Sequence, residues 1–305
     1  MSDINGAERY GHRFNARLVA RRAAYLDKDL VRVLDAGCGK GQLMLSILEW
    51  VPMLTGKKVE VYGFDVSEHG VQDRKRFEDD LERLGEVHPA MDWRDRIRVV
   101  SEGDPWPFTS GMFDIVVSNQ VLEHVRDGDA FFEEHGRVLK LEGSGLHCFP
   151  TKHVIKEQHV CVPWAHRIKE ERRRAKWMRL AYALGSGRRD KLRACPKADR
   201  WRVAKEQAEY VSRYTCYRSM QELESVLRKH GMICSYEYTP QFYTERLRER
   251  WSQGRNLAVV EGPLAPAFTG RALAAVLRYL ASVVIHVRHY SAARGDGVRG
   301  SGASH

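Results

Sequence analysis

The sequence predicts an α/β protein: a doubly wound, mostly parallel sheet, with a basic helical insertion between its fifth and sixth strands. Three observations carry that prediction. Short apolar runs alternate with longer amphipathic stretches over the first two-thirds of the chain, the pattern of βαβ units. The first run ends in the Gly-rich turn "DAGCGKG". And the charge is uneven: Arg167 to Lys205 holds fifteen Lys or Arg against four Asp or Glu, while the remainder of a chain of net charge +10 is close to neutral.

"VRVLDA" (31–36) reads as a buried strand leading into the Gly-rich turn, and "QLMLSILEWV" (42–51) follows as a helix. "VEVYGF" (59–64) is the second strand, and the charged stretch from Glu68 to Leu84 the second helix. "RIRVVS" (96–101), "FDIVVSN" (113–119) and "GLHCFP" (145–150) are three more strands. Between the last two, "DAFFEEHGRVLK" offers Phe132, Val138 and Leu139 as the inner face of a helix. Beyond the basic block, Ser219 and Glu222 form a capping box, each able to satisfy a backbone N–H in the first turn of a helix. That helix buries Leu223, Val226 and Leu227 and stops at Gly231. "MICSYEYTPQFY" reads as a sixth strand, and "SVVIHVRHY" (282–290) as a last strand or as the end of an amphipathic helix begun near Arg271. The chain thus divides into an N-terminal helical segment (1–30), an α/β core (31–150), the insertion (151–217), the rest of the core (218–290) and a polar tail (291–305) expected to be disordered.

With 305 residues, 43% of them apolar, the chain can bury a full core. Its first residues lack the apolar stretch of a secretory signal, and no run reaches the roughly 18 apolar residues of a membrane span. Six scattered cysteines without a C-x-x-C pair read as reduced thiols. The expected compartment is the cytoplasm, with peripheral contact at the inner membrane surface left open for the stretch after Arg271.

Asp35 closes the first strand, and Gly37, Gly39 and Gly41 follow before a helix; glycines there let the backbone turn sharply and a ligand approach. A dinucleotide site, or a tight turn with no ligand, is the alternative. Asp65, followed by Val66, closes the second strand, where a carboxylate can accept from both hydroxyls of a ribose. Asp104 follows the third, with Pro105 and Trp106 offering a flat apolar wall for a purine. The fourth ends in Asn119 and Gln120, with Glu123 and His124 just beyond.

In this order, "DAGCGKG", Asp65, "DPWPF" and "LEHV" resemble the class I S-adenosylmethionine-dependent methyltransferases, most of all their type-11 branch. The likeness is close over 30–150 and loose over 210–242. It implies a Rossmann-like, seven-stranded sheet with an antiparallel final strand, and S-adenosylmethionine as cofactor. It also implies that Asp35 and the three glycines hold the methionine moiety, Asp65 the ribose and Asp104 the adenine amino group, with Asn119 and Gln120 forming the floor.

Methyl transfer to a hydroxyl needs a group that helps remove a proton, a task suited to histidine. The candidates are His124 at the floor and His159 and His166 in the insertion, with Glu157 a carboxylate able to orient one of them. His153, His159, Cys161 and His166 do not show the paired short spacings of a structural zinc site, so no metal is expected from that set. The basic block, interleaved with Trp177, Tyr182 and Trp201, admits three readings: a solvated helical face, a nucleic-acid surface, or a lid over the acceptor. The lid is preferred. Type-11 enzymes with a histidine and a P-W/F-x-H element here, matched by Pro163, Trp164 and His166, resemble enzymes of sugar and cell-surface glycan modification. That resemblance implies O-methylation of an anionic sugar or glycan; a small natural product and an RNA are the alternatives. No oligomeric state is expected from the sequence.

Overall fold

The computed structural model describes residues 6–67, 74–187, 199–252 and 267–290. Seven strands form one sheet: β1 (Leu30–Ala36), β2 (Lys58–Val66), β3 (Ile97–Val100), β4 (Phe113–Asn119), β5 (Leu139–Pro150), β6 (Met232–Ser235) and β7 (Ser282–His289). Their spatial order is β3-β2-β1-β4-β5-β7-β6; β7 runs antiparallel to both neighbours, and the other pairs are parallel. The order reverses between β1 and β4, and ligands of such sheets bind in the crevice beyond the carboxyl ends of the strands at that switch. β1 and β4 are nearly fully buried because helices cover both faces.

One face carries α1 (Gly6–Ala24) and α2 (Gln42–Thr55), which pack on each other and bury Phe14, Val19, Met44 and Ile47. The Arg17 guanidinium, itself buried, is paired with Glu245, and Tyr10 donates to the carbonyl of Phe242. Both ties join α1 to the helix at Thr239–Ser252. The other face carries α5 (Gly128–Val138) and α8 (Met220–Lys229), counting α3 (Arg74–Val87) and the single turn α4 (Trp93–Arg96) between α2 and β3. Ser219 and Glu222 form the expected reciprocal capping box of α8, which buries Leu223 and Leu227 and leaves Val226 half-buried.

Three expected boundaries move. The predicted helix through Lys140 stops at Val138, and β5 starts at Leu139, six residues before the expected Gly145. The extra length is taken up by a register shift: Phe113 pairs with Leu139 but Ile115 with Ser144. The run "MICSYEYTPQFY" is a strand only over Met232–Ser235; α9 (Thr239–Ser252) begins within it. Pro240 in the first turn leaves no hydrogen bond unmade there. The last ambiguity resolves into both elements, α10 (Ala267–Leu277) and then β7. The start of the second predicted helix and the 291–305 tail lie outside the described residues.

The insertion has its own small core. α6 (Glu171–Ala183) buries Ala175, Met178, Ala181 and Tyr182 against Val203, Ala204 and Ala208 of α7 (Arg200–Tyr214). The aromatics expected to lie open for base stacking are otherwise engaged. Tyr182 is buried with its hydroxyl on Gln207, Trp177 donates to the carbonyl of Pro163, and Trp201 lies under Arg179 and Lys205. Arg174 is buried too, bonded to the Ala165, Ile168 and Ala208 carbonyls. Arg172, Arg173, Lys176 and Arg179 remain on the exposed face of α6. No helix among the described residues is long and apolar enough to cross a membrane.

Under α5 lies a buried imidazole pair. His147 Nδ1 sits 2.8 Å from Ser118 Oγ, and its Nε2 lies 3.1 Å from Nε2 of His135, so a single proton serves the contact between rings. Burial lowers the His147 pKa to about 3. The unfolded chain, titrating near 6.5, binds more protons between those values, so stability is lost as pH falls through that window. Urea midpoints should therefore fall on acidification below about pH 6.5, less steeply in His147→Gln than in the wild type; equal pH slopes would remove this pair from the acid response.

Candidate active site

The glycine turn hangs on β2: the amides of Gly37 and Cys38 donate to the Phe64 carbonyl at 2.9 and 3.0 Å. Gly37, Gly39 and Gly41 all have positive φ (77°, 50° and 72°), where a side chain is strained. At Gly37 a Cβ would also lie 2.5 Å from Val121. At Gly39 it would meet only Asp65 Oδ2, at 3.8 Å, so this backbone lines space a ligand can enter. Asp65 closes the cradle, accepting from the Gly39 amide at 2.5 Å and through Oδ1 from the Val66 amide at 2.7 Å. Asp35 is 2% exposed at the end of β1; burial, and then the nearby Asp65 charge, raises its pKa well above the usual carboxylate range. These residues converge at neighbouring strand ends, since β1 and β2 are paired through to Ala36 and Phe64.

The loop after β3 is arranged differently from the expected purine wall. Asp104 is exposed and closes its own turn, its carboxylate accepting from the Ser101 amide at 3.1 Å. Pro105 is exposed, but Trp106 turns inward against Phe64 and Phe131, at centroid distances of 4.6 and 5.1 Å. Glu134 and Arg137 hold this loop from α5, bonding the Trp106 amide and the Trp106 and Phe108 carbonyls.

At the end of β4, Asn119 accepts from Asn15 of α1 at 3.0 Å. Gln120 takes a left-handed backbone (φ 59°), with its amide on the Cys148 carbonyl and Nε2 on Ser282 Oγ at 2.8 Å. Cys161 and Trp164 are the other non-glycine residues with positive φ among the described residues. Strain of this kind gathers at functional sites, and here it marks the strand end and the facing loop of the insertion.

That loop brings distant histidines together. Arg218, after α7, donates to the carbonyls of Leu122, Val125 and Arg126, and the Cys216 amide donates to that of Glu123. Lys152 is tied to Arg218 as well, so both ends of the insertion are fastened beside the loop that follows β4. Glu157 is fully buried and accepts from the Val160 amide, the Tyr217 hydroxyl and His159 Nδ1, the last at 2.8 Å. Burial alone pushes its carboxyl up, but these hydrogen bonds hold it below its ordinary pKa. The His159 ring stands edge-on to His124 with centroids 4.8 Å apart, and His124 Nδ1 donates to the Tyr214 carbonyl. Glu123, 1% exposed, lies in the same cluster; burial raises its pKa to about 8.

His166 is not part of this cluster. Its Nε2 donates to the Lys152 carbonyl, and its ring packs on Tyr217 at 4.7 Å. His153 packs on Tyr279, and Cys161 contacts the Gln158 carbonyl, so the four residues weighed as a zinc set point to different partners. Tyr217 and Arg218, which hold the cluster together, had no signal in the sequence: each acts through a contact far along the chain.

A family model described as a methyltransferase domain matches residues 7–261. A malonyl-[acyl-carrier protein] O-methyltransferase of Legionella pneumophila is 28% identical over 123 residues, covering 40% of this chain and 37% of that protein, so the match spans little more than a third of the curated relative. Among solved structures, a geranyl diphosphate methyltransferase in complex with SAM aligns over 91% of this chain and 85% of its own, with 16% identity and a TM-score of 0.48. The phosphoethanolamine N-methyltransferase 2 of Haemonchus contortus aligns over 90% of this chain and 51% of its own, with 16% identity and a TM-score of 0.44.

Proposed function

The chain belongs to the methyltransferase-domain family, the S-adenosylmethionine-dependent class I enzymes, and from that premise we propose that it O-methylates a hydroxyl of an anionic sugar, glycan or similar acceptor. The cofactor supplies an electrophilic methyl on a sulfonium; the acceptor oxygen gains the C–O bond as the C–S bond breaks, leaving the homocysteine thioether and a proton. Asp65 would accept from the ribose hydroxyls, the glycine turn and Asp35 would hold the methionine end, and Asn119 and Gln120 would form the floor. Asp104, with Pro105, lies at the adenine end, where its exposed carboxylate can leave its own turn for an amino group.

The observation that carries the reading is the Glu157–His159–His124 arrangement, with His159 Nδ1 fixed on a buried carboxylate 2.8 Å away beside the end of β4. Such an imidazole is held in one tautomer and assists deprotonation of a hydroxyl brought to it. The exposed arginines of α6 favour a negatively charged acceptor. Incubation with methyl-labelled S-adenosylmethionine and a panel of nucleotide-sugars, phosphorylated glycans and neutral sugars tests it. The label is expected in a base-stable ether on an anionic acceptor, at a rate that falls with added salt. Label only in polyribonucleotide, or only in neutral sugars without salt dependence, would overturn it.

A second reading, methylation of a small molecule, is favoured by the O-methyltransferase relative. If the acceptor is a carboxylate, as in a malonyl group, there is no proton to remove, and His159→Ala would leave turnover nearly unchanged.

A further inference from the structure

One ligand-competent atom from each of Glu123, His124 and His159 lies within 4.8 Å of the other two. We infer that these three residues form a binding site for a borderline divalent cation of the zinc class, open on the side that meets the acceptor. The inference rests on the proposed function only for what the cation would do, not for its binding.

Three features of the molecule point to a cation. Glu123 is 1% exposed, and neither of its carboxylate oxygens has a hydrogen-bond partner. A buried carboxyl without partners must either hold a proton or have something positive against it, and a cation that displaces the proton satisfies both oxygens' surroundings. Next, both imidazoles are oriented as metal ligands are. His124 gives its Nδ1 hydrogen to the Tyr214 carbonyl and His159 its own to Glu157, which puts the lone pair of each ring on Nε2. Histidines that bind metals are held in this way, by a carbonyl or carboxylate on the opposite nitrogen. Finally, the size is right. A triangle of 4.8 Å edges has its centre about 2.8 Å from each corner, so movements of less than about 1 Å bring all three atoms to the roughly 2.0–2.2 Å of zinc ligands.

Two imidazoles and one carboxylate select zinc, cobalt(II) or iron(II) over magnesium or calcium, which prefer all-oxygen shells. Three protein ligands leave a position for an incoming oxygen, as in catalytic rather than structural sites. His159 keeps 23% of its side chain exposed, so the open side reaches solvent. A hydroxyl bound there becomes more acidic and releases its proton to solvent, and His159 then assists as a ligand.

The test uses the full chain stripped with chelator, without cofactor or acceptor, titrated with Zn²⁺ by calorimetry and with Co²⁺ by visible absorption. One equivalent of each is expected, with cobalt d–d bands and no thiolate charge-transfer absorption. Glu123→Gln and His159→Ala, each confirmed folded by circular dichroism, should bind at least about 100-fold more weakly, and Glu157→Gln about 10-fold more weakly. A chain that takes up neither ion, or whose affinity is unchanged in both Glu123→Gln and His159→Ala, would overturn the site. So would cobalt spectra showing cysteine ligation, which need no variant to fold. Loss of methyl transfer with intact ion binding would count against the proposed function and leave the site standing.

Discussion

Asp65→Ala is expected to weaken S-adenosylmethionine binding by at least about 100-fold, on the order of 3 kcal/mol. The carboxylate has two tasks. It accepts from the Gly39 and Val66 amides, which fixes the shape of the glycine turn, and it stands where ribose hydroxyls would donate to it. Hydrogen bonds to a charged group are worth about 1.5–3 kcal/mol each, more than neutral ones, so losing the ribose contacts alone gives most of the effect. Asp65→Asn separates the tasks: it keeps one acceptor oxygen but no charge, and should fall between wild type and alanine. Calorimetric titration checks the series. An alanine variant that binds the cofactor with wild-type affinity would refute the ribose assignment.

His159→Ala should lower turnover by about 10²–10⁴-fold, the usual range for a group that assists proton transfer, with cofactor affinity unchanged. The separation follows from position. His159 is carried by the insertion, tied to Glu157 and set edge-on against His124, whereas the glycine turn and Asp65 belong to β1, β2 and the loop between β1 and α2. His166→Ala is the matched control within the insertion, since that ring bonds the Lys152 carbonyl and reaches the cluster only through its packing on Tyr217. Equal losses in the two variants would point to disruption of the insertion and not to chemistry at His159. Turnover that survives His159→Ala would favour a carboxylate acceptor.

Much of the fold was legible because its signals are local. The strand β1, the turn at Gly37 to Gly41 and the capping box of α8 each depend on residues within a few positions of one another. The misplaced elements show the converse. Tyr236, Tyr238 and Phe242 have the aromatic character of a strand, but Tyr238 and Phe242 are four apart and both buried, as on one face of a helix. Pro240 in the first turn of α9 is a helix-start signal that sits among β-prone neighbours. The early start of β5 depends on a bulge opposite β4, which no local pattern announces.

The site divides in the same way. Asp35, the three glycines and Asp65 follow from strand ends that a parallel sheet must place side by side. Trp106 was misjudged because an indole suits a ligand wall and a core equally well; Phe64 and Phe131 claim it for the core. The meeting of His124 with His159 depends on Arg218 and Cys216 fastening the insertion to the loop after β4. Gly63, inside β2, is a quieter case: a Cβ there would lie 2.8 Å from Cys38 and Met44, so the glycine turn and α2 pack this closely only over a glycine.

A crystal structure with S-adenosylhomocysteine bound would test the central claim most directly, because it places the reacting sulfur relative to the histidines. The ribose is expected on Asp65 and the sulfur facing His124 and His159, with room for an acceptor oxygen about 3 Å from the position of the transferred methyl. A sulfur turned away from this cluster, or separated from it by packed side chains, would rule out a role for His124 and His159 in methyl transfer.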